Sequence, residues 1–240
     1  FSYVKSHIDR LQRTSTSVSA FAGFGSALVT QQGFQPYALF SYRWAGLDAQ
    51  TGDPQGLLDR SISKDYRRLV TPVSLDELVY HGSTRPNYFS TFRQSLSFRG
   101  FTLSAMIAAD WGHYFRAPTL SYTSLFNTWT GHRDYDLRWQ QPGDEARTTV
   151  PSMVFPANSN RDRFYEFSEA TVESAAQIRL HDVRLEYSYR PAGKPGSATI
   201  YITLQQPGFL WLANSRGLDP RNTNGLLPRG TWSAGFQLNL

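Results

Sequence analysis

Five histidines, 19 acidic residues and no cysteine make up this chain's stock of ligands, acids and nucleophiles. His113, His132 and His181 match no compact ligand spacing, and no thiolate assists them, so they read as solvated or hydrogen-bonded side chains. Asp134 and Asp136, followed by Asp144 and Glu145, bring carboxylates together along the chain. Such groups can pair for acid–base work or hold Ca²⁺. This run lacks the glycine and the closing glutamate of an EF-hand loop, so its expected roles are loop solvation and local ion pairing. No G-x-S-x-G elbow presents a serine nucleophile. The residues therefore point to no enzyme, no cofactor and no metal.

Stacking chemistry is better supplied. Trp111, Tyr114, Phe115, Tyr122, Phe126, Trp129, Tyr135 and Trp139 crowd one stretch, interleaved with Arg133, Asp134, Arg138, Asn158, Asn160 and Arg161. Rings beside guanidinium and carboxamide groups can stack a sugar face or clamp a peptide. Trp111, Tyr114, Trp129, Asp134, Trp139, Asn158 and Arg161 are the resulting candidates for substrate or partner contact. An interfacial aromatic girdle, internal packing or docking against a partner protein are the other uses of the same rings.

The elements that would position these residues are strands. Phe, Tyr and Trp amount to 15% of the chain, which favours β-structure or an interface. At the C-terminal end Trp232, Ala234, Phe236, Leu238 and Leu240 alternate with Ser233, Gly235, Gln237 and Asn239. This period of two puts the large apolar groups on one face and small polar ones on the other. The pattern recurs for Phe101, Leu103, Ala105, Ile107 and Ala109, for Phe92, Leu96 and Phe98, for Ala38, Phe40, Tyr42 and Trp44, and for Val183, Leu185, Tyr187 and Tyr189. Ile178 and Leu180 lie on the opposite parity from Val183, which predicts a β-bulge near His181-Asp182. Seven strands are expected, near 1–8, 36–44, 88–98, 101–110, 177–189, 198–205 and 231–240, with a possible hairpin over 16–30. Pro207 cannot donate a ladder hydrogen bond and is expected to end its strand.

The connections are sorted by length. Turns at 99–100 and 190–197 are short, whereas 45–87, 111–176 and 206–230 are long. Outer-membrane barrels have short periplasmic turns and long extracellular loops, and the parity of the strands places all three long segments on one side. No run of 18 apolar residues suggests a membrane helix. The +5 net charge, 24 Lys and Arg against 19 Asp and Glu, is scattered, so nucleic acid is not an expected partner. The fold class is thus all-β: antiparallel strands of a transmembrane barrel, with Arg93, Arg99, Arg184 and Glu186 as lumen-facing candidates. Seven strands cannot close alone, and open edges in lipid leave unpaired amides. The missing strands are expected upstream of Phe1 or on another chain. A secreted, carbohydrate-binding β-sandwich is the soluble alternative.

Several strings carry a resemblance in register with this strand map. Trp44-Ala45-Gly46-Leu47-Asp48 with Thr51-Gly52-Asp53-Pro54-Gln55, Phe98-Arg99-Gly100-Phe101-Thr102-Leu103-Ser104, Arg138-Trp139-Gln140-Gln141-Pro142-Gly143-Asp144-Glu145, and Gly217-Leu218-Asp219-Pro220 follow in order. So does the run Ile178-Arg179-Leu180-His181-Asp182-Val183-Arg184-Leu185. Together they resemble the C-terminal part of SusC/RagA-type TonB-dependent transporters. The resemblance implies the last strands of a roughly 22-stranded, plugged barrel, with the plug and N-terminal domains upstream of residues 1–240. It implies the outer membrane of a Gram-negative bacterium and import of an oligomeric glycan or peptide. It also implies a SusD-like surface lipoprotein and the TonB complex as partners, with the lipid bilayer around the wall. A structural barrel subunit of a larger outer-membrane assembly is the alternative within this reading. Leu240 departs from the aromatic residue that usually ends such barrels.

Overall fold

The computed structural model describes residues 1–10, 18–23, 31–191, 193, 195–223 and 229–239. In chain order the strands are β1 (Ser2–Tyr3), β2 (Ala38–Tyr42), β3 (Trp44–Leu47), β4 (Pro54–Leu58), β5 (Ser61–Ser63), β6 (Leu78–Ser83), β7 (Tyr88–Phe98), β8 (Phe101–Trp111), β9 (Tyr114–Arg116), β10 (Val172–Ser174), β11 (Gln177–Tyr189), β12 (Ser197–Leu212) and β13 (Thr231–Asn239). Short helices α1 (Val18–Gly23), α2 (Tyr66–Leu69), α3 (Tyr122–Thr128) and α4 (Ser159–Glu166) lie between them. The chain divides into two compact units. The first comprises Phe1–Val4, Pro86–Gly112 and Ala175–Leu240, and the second Lys5–Arg85 and His113–Ser174.

The first unit is one antiparallel sheet of six strands in the order β1-β7-β8-β11-β12-β13. Alternation makes the strands, and turn chemistry sets their register. Arg99 (φ 48) and Gly100 (φ 86) both adopt positive φ between β7 and β8, the backbone a two-residue hairpin of type I′ requires. A Cβ on Gly100 would also lie 2.9 Å from the Ser188 carbonyl. Strands β7 and β8 then pair without slip from Phe98↔Phe101 to Tyr88↔Trp111.

The bulge falls where parity predicts it. Leu180 pairs Ile107 and Asp182 pairs Met106, leaving His181 as the extra residue against β8. On the other side Leu180 pairs Gly208 and Asp182 pairs Gln205, so Gln206 and Pro207 share the irregularity with His181. The expectation that Pro207 ends its strand is corrected here: β12 runs on to Leu212. Pro207 is accommodated because bulge residues owe no ladder hydrogen bond. The sheet has no closed barrel among the described residues, since β1 and β13 are its two edges.

Three other expectations are corrected. The segment 36–44 belongs to the second unit: β2 is buried at every position and pairs β6, because both parities (Leu39 and Ser41 as well as Ala38, Phe40 and Tyr42) face protein. The segment 1–8 contributes only the two-residue β1, paired at the end of β7. Within 16–30, Val18–Gly23 is a helix turn rather than a strand; the rest of that expected hairpin lies outside the described residues, as does Leu240.

Most of the two long segments 45–87 and 111–176 belongs to the second unit and is folded. The core of that unit is Phe21, Ala22, Phe40, Tyr42, Leu69, Val70, Leu78 and Phe164. Asn158 caps α4 by accepting from the Asn160 and Arg161 amides. Ser74 and Glu77 form a reciprocal capping box at Leu75–Glu77. A buried guanidinium ties the pieces together. Arg116 Nη2 donates to the Phe40 carbonyl (2.7 Å) and the Ala22 carbonyl, and Nη1 to the Glu166 and Ser168 carbonyls and Thr171 Oγ1.

Candidate functional site

Register sorts the six-stranded sheet into two chemically distinct faces. Arg93 pairs Met106, Met106 pairs Asp182, Asp182 pairs Gln205, and Gln205 pairs Thr231. Partners in register share a face, so one face carries Thr91, Arg93, Ser95 and Ser97, Thr102 and Ser104, Arg184 and Glu186, Thr199, Tyr201 and Thr203, and Ser233, Gly235 and Gln237. The opposite face carries Phe92, Leu96 and Phe98, Phe101 and Leu103, Leu185 and Tyr189, Ile200 and Ile202, and Trp232, Phe236 and Leu238. All twelve of these large apolar side chains are exposed, Phe236 by 75%.

The polar face is built around the bulge. Arg93 Nη2 donates to Asp182 Oδ2 at 3.3 Å, and His181 Nδ1 stands 3.2 Å from the same oxygen. Arg184 reaches Glu186 through both Nε (3.1 Å) and Nη2 (2.7 Å). Its guanidinium also stacks 3.8 Å over the Tyr201 ring. That ring has room because Gly235 is its partner on β13; a Cβ there would meet the Tyr201 hydroxyl at 2.5 Å. A cavity of about 370 Å³ is lined by Arg93, His181, Asp182, Arg184, Tyr201 and Thr203, with Gln205 and Ser233 completing it. At the far end of the face, Asp110 Oδ2 accepts from Gln177 Nε2 (3.1 Å) and Arg221 Nη2, with Arg179 Nη2 at 3.6 Å.

Three of the four lumen-facing candidates therefore lie together on one face: Arg93, Arg184 and Glu186. Arg99 does not. It occupies the hairpin turn, with its guanidinium over the Phe98 ring, because the turn needs a positive φ there.

The seven aromatic-stretch candidates divide between the two units. Trp111 ends β8 in the first unit and stacks on Tyr88 at 5.9 Å. Tyr114, in the second unit, is partly exposed near His81. Trp139 is buried, its ring filling the space that a Cβ on Gly52 would need, and its Nε1 donates to Glu145 Oε2. Asp134 is buried and accepts from Thr119 Oγ1 at 2.8 Å. Arg161 is buried between Asp53 (3.0 Å) and the Ser152 carbonyl (2.9 Å). Asn158 is the helix cap already described. Trp139, Asp134 and Arg161 thus make internal contacts in the folded unit, and Asn158 keeps an exposed position at its helix cap. Trp129 is 88% exposed, at the left-handed end of α3.

Residue-by-residue reading missed Tyr201, Arg179, Arg221 and Arg116. Tyr201 was discoverable from its parity with Thr199 and Thr203; the arginines carry no local signal. Among the described residues no group of three His, Asp or Glu could hold a metal, and no helix is long and apolar enough to cross a membrane.

No protein-family model matches the chain, and no curated protein matches it. Solved structures do. The RagAB peptide importer in its open-open state superimposes with a TM-score of 0.56 at 20% identity, over 84% of this chain and 22% of that one. Its closed-closed state gives 0.56 at 20% identity over 83% and 22%. A further structure of the RagAB peptide transporter gives 0.53 at 20% identity over 84% and 22%. This is a likeness of fold, consistent at that level with the SusC/RagA-type resemblance of the sequence. The chain spans 22% of the length of the importer chains it matches.

Proposed function

We propose that this chain is a wall segment of an outer-membrane barrel, the C-terminal portion of a TonB-dependent importer of oligomeric nutrients. The observation that carries this reading is the sheet with twelve exposed large apolar side chains on one face and ion-paired polar groups on the other. Burying a large apolar side chain is worth roughly 1.5–3 kcal/mol, and folded proteins hold only about 5–15 kcal/mol in total. A soluble chain does not sustain an uncovered face of this kind. Lipid covers it without a second sheet, which favours a barrel wall over a β-sandwich. Unpaired edge amides in lipid cost several kcal/mol each, so β13 and the open edge of β7 call for strands beyond this chain.

The polar face suits passage rather than capture. Arg93 with Asp182 and Arg184 with Glu186 are paired charges in a hydrated wall, and exposed pairs of this kind bind little on their own. They offer donors and acceptors to a glycan or peptide without holding it. The likeness to the RagAB peptide importer favours a transport role, and the SusC-like resemblance adds a SusD-like lipoprotein and TonB acting on an upstream plug. The chain's folded second unit, with Trp129 and Tyr114, is the segment that would meet substrate or lipoprotein outside the cell.

Cell fractionation and uptake test the reading in two steps. The native full-length protein is expected in the outer-membrane fraction, released by detergent alone, and deletion of its gene should abolish growth on one oligomeric nutrient. Recovery in the aqueous phase would overturn the barrel. Membrane recovery with every uptake unchanged would favour the structural-subunit alternative.

A further inference from the structure

The apolar face is not a smooth wall. A cavity of about 330 Å³ opens on it, lined by Phe101, Leu185, Tyr187, Ile200, Ile202 and Ala234, with Tyr201 and Gly235 of the other face behind them. Its accessible lining is almost wholly apolar. Register explains the opening. Trp232, Ala234 and Phe236 share a face of β13, so one small side chain interrupts a row of large ones. From Ala234 a row crosses the sheet to Ile202 and Leu185. The next row crosses from Phe236 to Ile200, Tyr187 and Phe101. The cavity is the furrow between these two rows, and it leads toward Phe101.

That end of the furrow carries a cation. Phe101 pairs Phe98 across the hairpin, and the exposed Arg99 guanidinium lies 5.1 Å from the centre of the Phe98 ring. The turn thus directs its charge to the rim of the apolar face. Both short turns at this end, 99–100 and 190–196, carry cations (Arg99, Arg190 and Lys194) and no acid. Short turns of an outer-membrane barrel lie on the periplasmic side, at the level of the lipid headgroups. An apolar furrow offers water no hydrogen bonds, and its walls lose packing contacts unless an apolar chain fills it. A guanidinium meets phosphate oxygens through its fork of N–H donors.

We propose that this furrow is a phospholipid site, holding one acyl chain of an anionic lipid of the periplasmic leaflet, with Arg99 on the headgroup phosphate. The proposal rests on the barrel reading, which puts this face in lipid, and adds to it one place where a lipid of defined charge is held.

The test is native mass spectrometry of the purified full-length protein in detergent, titrated with dioleoyl-phosphatidylglycerol and with its zwitterionic counterpart dioleoyl-phosphatidylcholine. The anionic lipid should bind about fivefold tighter or more, the effect of one cation near a headgroup. Arg99→Asn leaves Asn-Gly in the hairpin, the pair that a type I′ turn favours, and should remove the preference while leaving phosphatidylcholine binding in place. Ala234→Phe fills the furrow and should weaken both lipids by about tenfold. Should Ala234→Phe fail to assemble, Ala234→Leu is the milder filling and should weaken both in the same direction. Equal binding of the two lipids, retention of neither, an unchanged preference in Arg99→Asn, or unchanged binding in the filled variants overturns the site. A dimer that Ala234→Phe dissolves would put a second copy of the protein in the furrow and overturns it too. Any of these results with the protein still in the outer membrane removes the lipid site alone, whereas aqueous recovery removes the barrel and the site with it.

Discussion

Arg116 donates to oxygens from three separate stretches of chain: Ala22, Phe40, and the Glu166–Thr171 segment. Burial pushes its pKa down to about 10, with Glu166 and Tyr42 opposing the shift, yet it stays charged at neutral pH. Arg116→Met would leave buried carbonyls without donors, each costing about 1–3 kcal/mol. The expected loss is ~3 kcal/mol or more, read as roughly hundredfold faster amide exchange over 38–42 in the full-length protein. Unchanged exchange would show that the carbonyls find other donors. The same guanidinium acts on His81. Burial first, and the Arg116 charge second, push the His81 pKa down to about 4, while its Nε2 lies 2.6 Å from Ser41 Oγ. The fold therefore favours neutral His81. Its contribution is intact above pH 6.5, the unfolded value, and is lost as pH falls from 6.5 to about 4. Glu166, raised by burial, has the opposite sign in acid. The informative comparison is thus between wild type and His81→Gln. Thermal melts between pH 7 and 4.5 should fall more steeply for the wild type, and equal slopes would contradict the assignment.

At the scale of elements, legibility followed the surroundings of each strand. Strands β7, β8, β11 and β13 were readable because one face meets polar groups and the other is mainly apolar, with Ser90 and Gln94 of β7 as exceptions, so period two survives in the sequence. The bulge at His181 was readable for the same reason, as a slip in parity. Strand β2 was misread because protein covers both of its faces, and its alternation of Phe40 and Tyr42 with Leu39 and Ser41 encodes packing within the second unit. Continuation of β12 past Pro207 was hidden because a bulge depends on the partner strand. The candidate site was only half visible: Arg93, Arg184 and Glu186 follow from parity, whereas Arg179, Arg221 and Arg116 acquire their roles from distant segments. The two faces of β12 make a prediction of their own. Ile202→Arg places a charge on the apolar face at a cost of ~2–4 kcal/mol near mid-membrane, and should reduce the amount of folded protein in the outer membrane. Thr199→Arg, on the polar face of the same strand, should leave that amount unchanged. Equal effects would remove the distinction between the faces.

For the whole molecule, the central claim is that this sheet separates lipid from a hydrated interior and is completed by strands outside the chain. Fold likeness to the RagAB importer and the alternating pattern of the sequence lead to it from different starting points. This chain contributes no cysteine, so single cysteines placed in turn at positions 232 to 238 of β13, in the full-length protein with any cysteine outside the chain replaced by serine, report the environment of each face in native outer membranes. Labelling with a small, charged, water-soluble maleimide should mark the positions of Ser233, Gly235 and Gln237. The positions of Trp232, Ala234, Phe236 and Leu238 should react only with a lipid-soluble reagent. Aqueous labelling of both parities would contradict the account, because it would place water on both faces of the sheet.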